Sequence, residues 1–126
     1  MSVENSNAND DLTAAAVEVF AFHLRRARRD AGDLSLRQLA DRIGRSASRG
    51  WGSSSTLQRA FAGRSLPSWP VVEALLVDGF GIDHERVHQE WRRRWVEVKD
   101  LVEPLDPPFP KDPKTDGVVV PLLKPA

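Results

Sequence analysis

Residues 35–44, SLRQLADRIG, carry the reading on which the fold depends. Ser35 stands where an N-cap hydroxyl accepts from the first helical turn, and Gln38, three residues on, reaches back to close a capping box, with Leu34 and Leu39 as the flanking hydrophobic staple. Leu36, Leu39, Ala40 and Ile43 then recur at the i, i+3, i+4, i+7 spacing of one helix face, and Gly44 marks the stop. Residues 55–63, STLQRAFAG, repeat the plan on a smaller scale. Any hydroxyl of Ser53, Ser54 or Ser55 suits an N-cap; Leu57, Ala60 and Phe61 point one way, and Gly63 ends the run.

Outward from this pair the helical period continues. From Thr13 to Ala31 the apolar residues Val17, Phe20, Leu24 and Ala27 share a face, Arg25, Arg26, Arg28 and Arg29 fill the last turns, where cations complement the helix dipole, and Gly32 suits the C′ position. After Leu66-Pro67, Ser68 is placed to cap a fourth helix with Pro70 in its first turn and Val72, Leu75 and Leu76 inward, ending near Gly79 to Gly81. A fifth starts at Asp83 and buries Val87, Trp91, Trp95, Val98 and Val102 before Pro104. The expected fold is therefore all-α, with five helices over residues 12–103.

The ends read differently. Residues 1–11, MSVENSNANDD, are too polar to repay the entropy of ordering, which predicts a disordered N-terminal arm. Residues 104–126 hold seven of the nine prolines and read as an extended proline-rich C-terminal tail. The absence of Cys excludes disulfides and thiolate metal sites and favours a reducing compartment. No stretch approaches the ~20 apolar residues that a bilayer needs, and no cationic signal segment opens the chain. The expected address is the cytoplasm, away from the membrane.

Formal net charge is zero, which excludes recognition through bulk basicity. The charges are nonetheless segregated. Residues 1–16 carry three acids and no base, residues 17–64 ten arginines against four acids, residues 65–103 five bases against eight acids, and residues 104–126 three of each. The helix pair lies in the one cationic segment.

Together with the flanks FAFHLRRARRDAG and SLPSWPVVEALL and the later WRRRW, the pair resembles the helix-turn-helix of the lambda-repressor, Cro and XRE type, and small actinobacterial regulators in particular, over roughly residues 17–98. The resemblance implies a repressor-type domain that binds double-stranded DNA in transcriptional regulation, its second paired helix in the major groove and its first crossing the phosphate backbone. Ser54, Ser55 and Arg59 match base-facing positions, Thr56 and Gln58 lie beside them near the backbone, Arg37 matches a position near phosphate, and Arg64 closes the basic segment. These residue types suit the work: Arg reads guanine bidentately, and Ser, Thr and free amides at a helix N-terminus hold phosphate oxygens. The resemblance also implies a homodimer on a pseudo-palindrome, although no stripe in the sequence marks a dimer seam.

One departure is plain. The Gly44-to-Leu57 connection is about six residues longer than the motif's short turn, the excess lying within 45–52, RSASRGWG. Arg45 and Arg49 could clasp phosphate with Trp51 as anchor, or the stretch is a tolerated surface insertion with Trp51 folded back on the core, the reading that loop physics favours. A second function class rests on the tail, where Val118, Val119, Val120, Leu122 and Leu123 form an uncharged, β-prone patch suited to docking a protein partner, or to self-docking, in a domain with weak or no DNA binding.

His84-Glu85-Arg86-Val87-His88 spells H-E-x-x-H, the zincin spacing. Glu97 and Glu103, on the same helix, cannot bend back as a third ligand, and His23 lies on the Arg-rich first helix, so no catalytic metal is expected. Lacking also a Gly-rich phosphate cradle, a G-x-S-x-G elbow and a Cys nucleophile, the sequence points to no catalytic residue, no cofactor and no enzyme. The four Trp read as core and Arg92, Arg93 and Arg94 as a solvated face.

Since Leu39, Ile43, Leu57 and Phe61 supply the apolar contacts between the paired helices, deleting residues 45–50 is expected to preserve helicity and a cooperative melt. If Arg45 and Arg49 both neutralise phosphates, the deletion lowers the salt slope of DNA binding by about two units, at roughly 0.9 per phosphate; an unchanged slope marks a passive insertion.

Overall fold

The computed structural model describes residues 2–47 and 50–105, with side chains from residue 10 onward, as five helices and no strand among those residues. α1 is Ser2–Asp30, α2 Leu36–Gly44 and α3 Ser54–Ala62. α4 opens over Trp69–Glu73 and winds on as π-helix over Ala74–Gly79; α5 opens at His84–Arg86, passes a π-helical turn at Val87–Trp91 and finishes α-helical over Arg92–Val102. No described helix is long and apolar enough to cross a membrane. The tail patch Val118 to Leu123 and Arg49 lie outside the described residues.

Local signals fix most of the boundaries. The capping box forms as its residues demand: the Gln38 amide donates to Ser35 Oγ at 3.1 Å and the Ser35 amide to Gln38 Oε1 at 2.8 Å. α1 ends in the crossed pair of bonds of a Schellman motif, the Asp33 amide to the Arg28 carbonyl and the Gly32 amide to the Arg29 carbonyl, with Gly32 at φ 110°. α1 reaches back from Thr13 to Ser2. Asp10, Asp11 and Leu12 are exposed, and the first buried side chain among the described residues is Val17.

The core joins all five helices through Phe20 and Leu24, Leu39 and Ile43, Leu57 and Phe61, Val72, Leu75, Leu76 and Phe80, and Val87 and Trp91. Fully burying a side chain of this size contributes about 1.5–3 kcal/mol, so this set supplies the main driving force. In α4 the π-helical stretch lets the consecutive residues Ala74, Leu75 and Leu76 all face inward, and the Phe80 amide reaches five residues back to the Leu75 carbonyl at 2.8 Å. Trp95 and Val98 are half-buried against this core, whereas Val102, read as inward, is exposed.

Arginines tie the helices together. Arg25 Nη1 donates to the Phe61 carbonyl at 2.8 Å, Arg28 Nε to the Leu34 carbonyl at 2.6 Å and Arg42 Nη1 to the Gly79 carbonyl at 3.0 Å, so the ends of α3 and α4 and the α1–α2 turn each receive a guanidinium. Arg92 and Arg94 do not form the expected solvated face. Arg92 lies 4.9 Å above Trp69 and 5.1 Å above Trp95, and Arg94 5.1 Å above Trp91, because a π-face draws in a cation whose stem also covers apolar surface. Arg94 also faces His23 across the α1–α5 groove, and burial, with that guanidinium second, holds the His23 imidazole below its usual range.

The inserted loop returns to the core at Gly52, which is buried; a Cβ there would stand 2.5 Å from Ile43 Cδ1. Trp51 beside it is 49% exposed, so neither a core role nor a fold-back describes it. Gly52→Ala is accordingly expected to destabilise by about 1–3 kcal/mol through overpacking on Ile43. Gly44→Ala, where a Cβ meets nothing within 4 Å at the end of α2, is expected to be neutral or to stabilise by up to about 1 kcal/mol. Denaturant melts of the two variants check both.

Candidate nucleic-acid interface

Of the three serines that could open α3, Ser53 is the N-cap. Its hydroxyl accepts from the Thr56 amide at 3.3 Å and donates to Thr56 Oγ1 at 2.9 Å. Ser54 and Ser55 are thereby the first residues of the helix, their amides lacking intrahelical partners and their side chains exposed. With Leu57, Ala60 and Phe61 inward, the opposite face of α3 presents Ser54, Ser55, Gln58, Arg59 and Ala62 to solvent, while Thr56 is half-buried at its edge.

Arg59 does not stand alone. Gln58, Arg59, Ala62, Arg64 and Ser65 line one shallow depression, and Thr56, Arg59 and Ser65 share a second on the side toward α4. Arg64 is carried there by Gly63, whose left-handed φ of 79° turns the chain out of α3. Side-chain space at Gly63 is already taken by the Glu18 carboxylate, which also pairs with Arg25 at 2.9 Å. One corner of α1 therefore fixes both the end of α3 and the exit of the chain toward Arg64. Ser65 is a member that the sequence reading missed, and its adjacency to Arg64 just past the glycine stop was the available signal.

Arg37 occupies the second position of α2, exposed, beside the Ser35 cap, and Arg45 is exposed at the other end of the same helix. Among the described residues of the cationic segment the arginines divide cleanly. Arg25, Arg28 and Arg42 donate to backbone carbonyls, and Arg26 pairs with Asp30 at 3.5 Å. Arg37, Arg45, Arg59 and Arg64 make no hydrogen bond or ion pair with another described residue, and Arg29 at the end of α1 shares that condition. The structure thus brings Thr56, Gln58, Arg59 and Arg64 together at α3 and leaves Arg37 and Arg45, at the two ends of α2, with no hydrogen bond or ion pair to another described residue.

Residues 19–89, more than half of the chain, match the family model described as Helix-turn-helix domain. The chain belongs to this XRE-like helix-turn-helix family. The matched span contains α2 and α3, the inserted loop between them, and the helices that pack behind the pair. No curated protein and no solved structure matches the chain. Membership makes DNA the partner to be expected of the domain, in a family that is typically non-enzymatic.

Elsewhere in the helix-turn-helix domain the structure corrects one piece of the sequence argument. A third ligand-type group does converge on the H-E-x-x-H histidines, and it comes from α4: Glu73 Oε2 lies 2.6 Å from His88 Nε2 and 3.3 Å from His84 Nε2. It is none of the groups weighed in the sequence, Glu97 and Glu103 on α5 or His23 on α1, because the contact is made across the turn between α4 and α5.

Since only Ser53 makes a side-chain cap at its helix, Ser53→Ala is expected to cost about 0.5–2 kcal/mol. Ser68, at the start of α4, makes no such bond, and Ser68→Ala should stay within about 0.5 kcal/mol. Thermal melts of the pair test whether the α3 start is held as described.

Proposed function

We propose that the protein binds double-stranded DNA in a sequence-specific manner as a transcriptional regulator, with α3 in the major groove and α2 across the phosphate backbone. The observation that carries this reading is the division of the arginines. Arg25, Arg28 and Arg42 are each held by a backbone carbonyl and Arg26 by Asp30, while Arg37, Arg45, Arg59 and Arg64, like Arg29, make no hydrogen bond or ion pair with another described residue. In this arrangement Arg59 reads a base edge, Ser54 and Ser55 offer hydroxyls and free amides at the helix start, Thr56 and Gln58 steady the backbone, and Arg37, Arg45 and Arg64 hold phosphates. The exposure of Trp51 and Arg45 favours the DNA-contacting reading of the loop over a passive insertion.

The test is a salt-titrated binding measurement on selected and random duplexes, with the full chain. Arg59→Ala is expected to cost about 1–3 kcal/mol on the selected site and to relax preference at one base pair, while Arg37→Ala weakens all sequences alike and lowers the salt slope by about one unit. Selected-site preference that survives Arg59→Ala removes Arg59 from the readout. Equal, weak affinity of the wild type for every duplex favours the protein-binding module instead. Sedimentation of the complex counts the chains per duplex, two for the homodimer that family resemblance implies.

A further inference from the structure

Beyond the DNA-facing surface, and independent of it, we infer that Glu73, His84 and His88 form a binding site for a divalent transition-metal ion of the zinc class. His84 and His88 are one turn apart on α5, their rings 4.4 Å between centroids, and both Nε2 atoms face the same oxygen of Glu73 on α4. All three ligand atoms lie within 4.8 Å of one another. Zinc bound at about 2.0–2.2 Å from nitrogen and oxygen in tetrahedral geometry needs ligand atoms roughly 3.3 Å apart. The His84–Glu73 separation of 3.3 Å already meets this, and the 2.6 Å His88–Glu73 hydrogen bond opens by under about 1 Å when the ion replaces the shared proton.

The donor set decides the metal class. Two imidazoles with one carboxylate suit zinc and its first-row neighbours, whereas magnesium and calcium require oxygen cages. Backbone support is good on both sides: His84 opens α5 directly after the Asp83 cap, and His88 is braced by the Trp69 ring, edge-on at 5.8 Å. The site is structural rather than catalytic. His84 and His88 side chains are 66% and 45% exposed, so the open coordination position faces bulk water and not the dry, shaped cavity that metal catalysis uses. A bound ion joins α4 to α5 across the Gly79–Asp83 turn and so clamps the corner behind α3. The chain has no Cys and a single further histidine, His23, so competing soft ligands are few.

The experiment is a calorimetric Zn²⁺ titration of the untagged full chain at pH 7.5, with Mg²⁺ as a parallel probe and thermal melts with and without Zn²⁺. One equivalent of Zn²⁺ is expected to bind and to raise the melting temperature, with no response to Mg²⁺. His84→Ala, His88→Ala and Glu73→Gln each weaken binding by about tenfold or more, the least expected of a lost ligand given that even outer-shell changes cost 10–100-fold. His23→Ala leaves it unchanged. All four positions are at least partly exposed, and circular dichroism verifies that each variant folds. Substoichiometric binding by the wild type, or one-to-one binding that survives the three substitutions, overturns the site.

Discussion

Leu39 and Ile43 each lie against the backbone of a glycine, and the helix pair depends on that close approach. Gly52 passes directly over Ile43, and Gly79 lies against Leu39, where an added Cβ would stand 3.1 Å from Leu39 Cδ2. α2 is thus pressed between the returning loop on one side and the end of α4 on the other. Because Gly52 is one residue ahead of the Ser53 cap, the contact that seats Ile43 also sets where α3 can begin. Residues 45–51 all lie ahead of that point in the chain, so the length of the connection does not enter the contact between Gly52 and Ile43.

Arginine is used in two ways that composition cannot separate. A guanidinium that caps a carbonyl or covers an indole contributes to the fold and is held in place by it; one that stands alone on an exposed face contributes little to stability and can turn toward a ligand. The cationic segment contains both kinds, sometimes one turn apart, as with Arg42 and Arg45 on either side of the α2 terminus. The consequence is that the number of arginines says less about which of them can turn toward a ligand than does the set that the neighbouring helices hold in place.

What the sequence made legible was local. The Ser35–Gln38 box, the Gly32 and Gly63 stops, and the apolar stripes of α1 to α4 are each written within a few residues, and each has its counterpart in the structure. The illegible parts join residues far apart in the chain: Arg25 with Phe61, Arg42 with Gly79, Arg92 with Trp69, Glu73 with His88. No periodicity encodes such pairings. The π-helical stretches were hidden for a related reason, since a sequence stripe at i+3 and i+4 reads the same whether or not one turn is widened by a residue. On the interface itself, exposure of Ser54, Ser55 and Arg59 followed from the inward positions of α3, but the grouping of Arg64 and Ser65 with them required the turn at Gly63.

The groove between α1 and α5 has an acid–base consequence. His23, whose imidazole is held below its usual range, takes up a proton more readily in the unfolded chain than in the folded one. Its contribution is therefore complete above the unfolded histidine value of about 6.5 and declines as pH falls from there through the lower folded value. The linkage through His23 therefore acts on the acid side, at the groove between α1 and α5, on a different helix from the exposed Arg59 of α3.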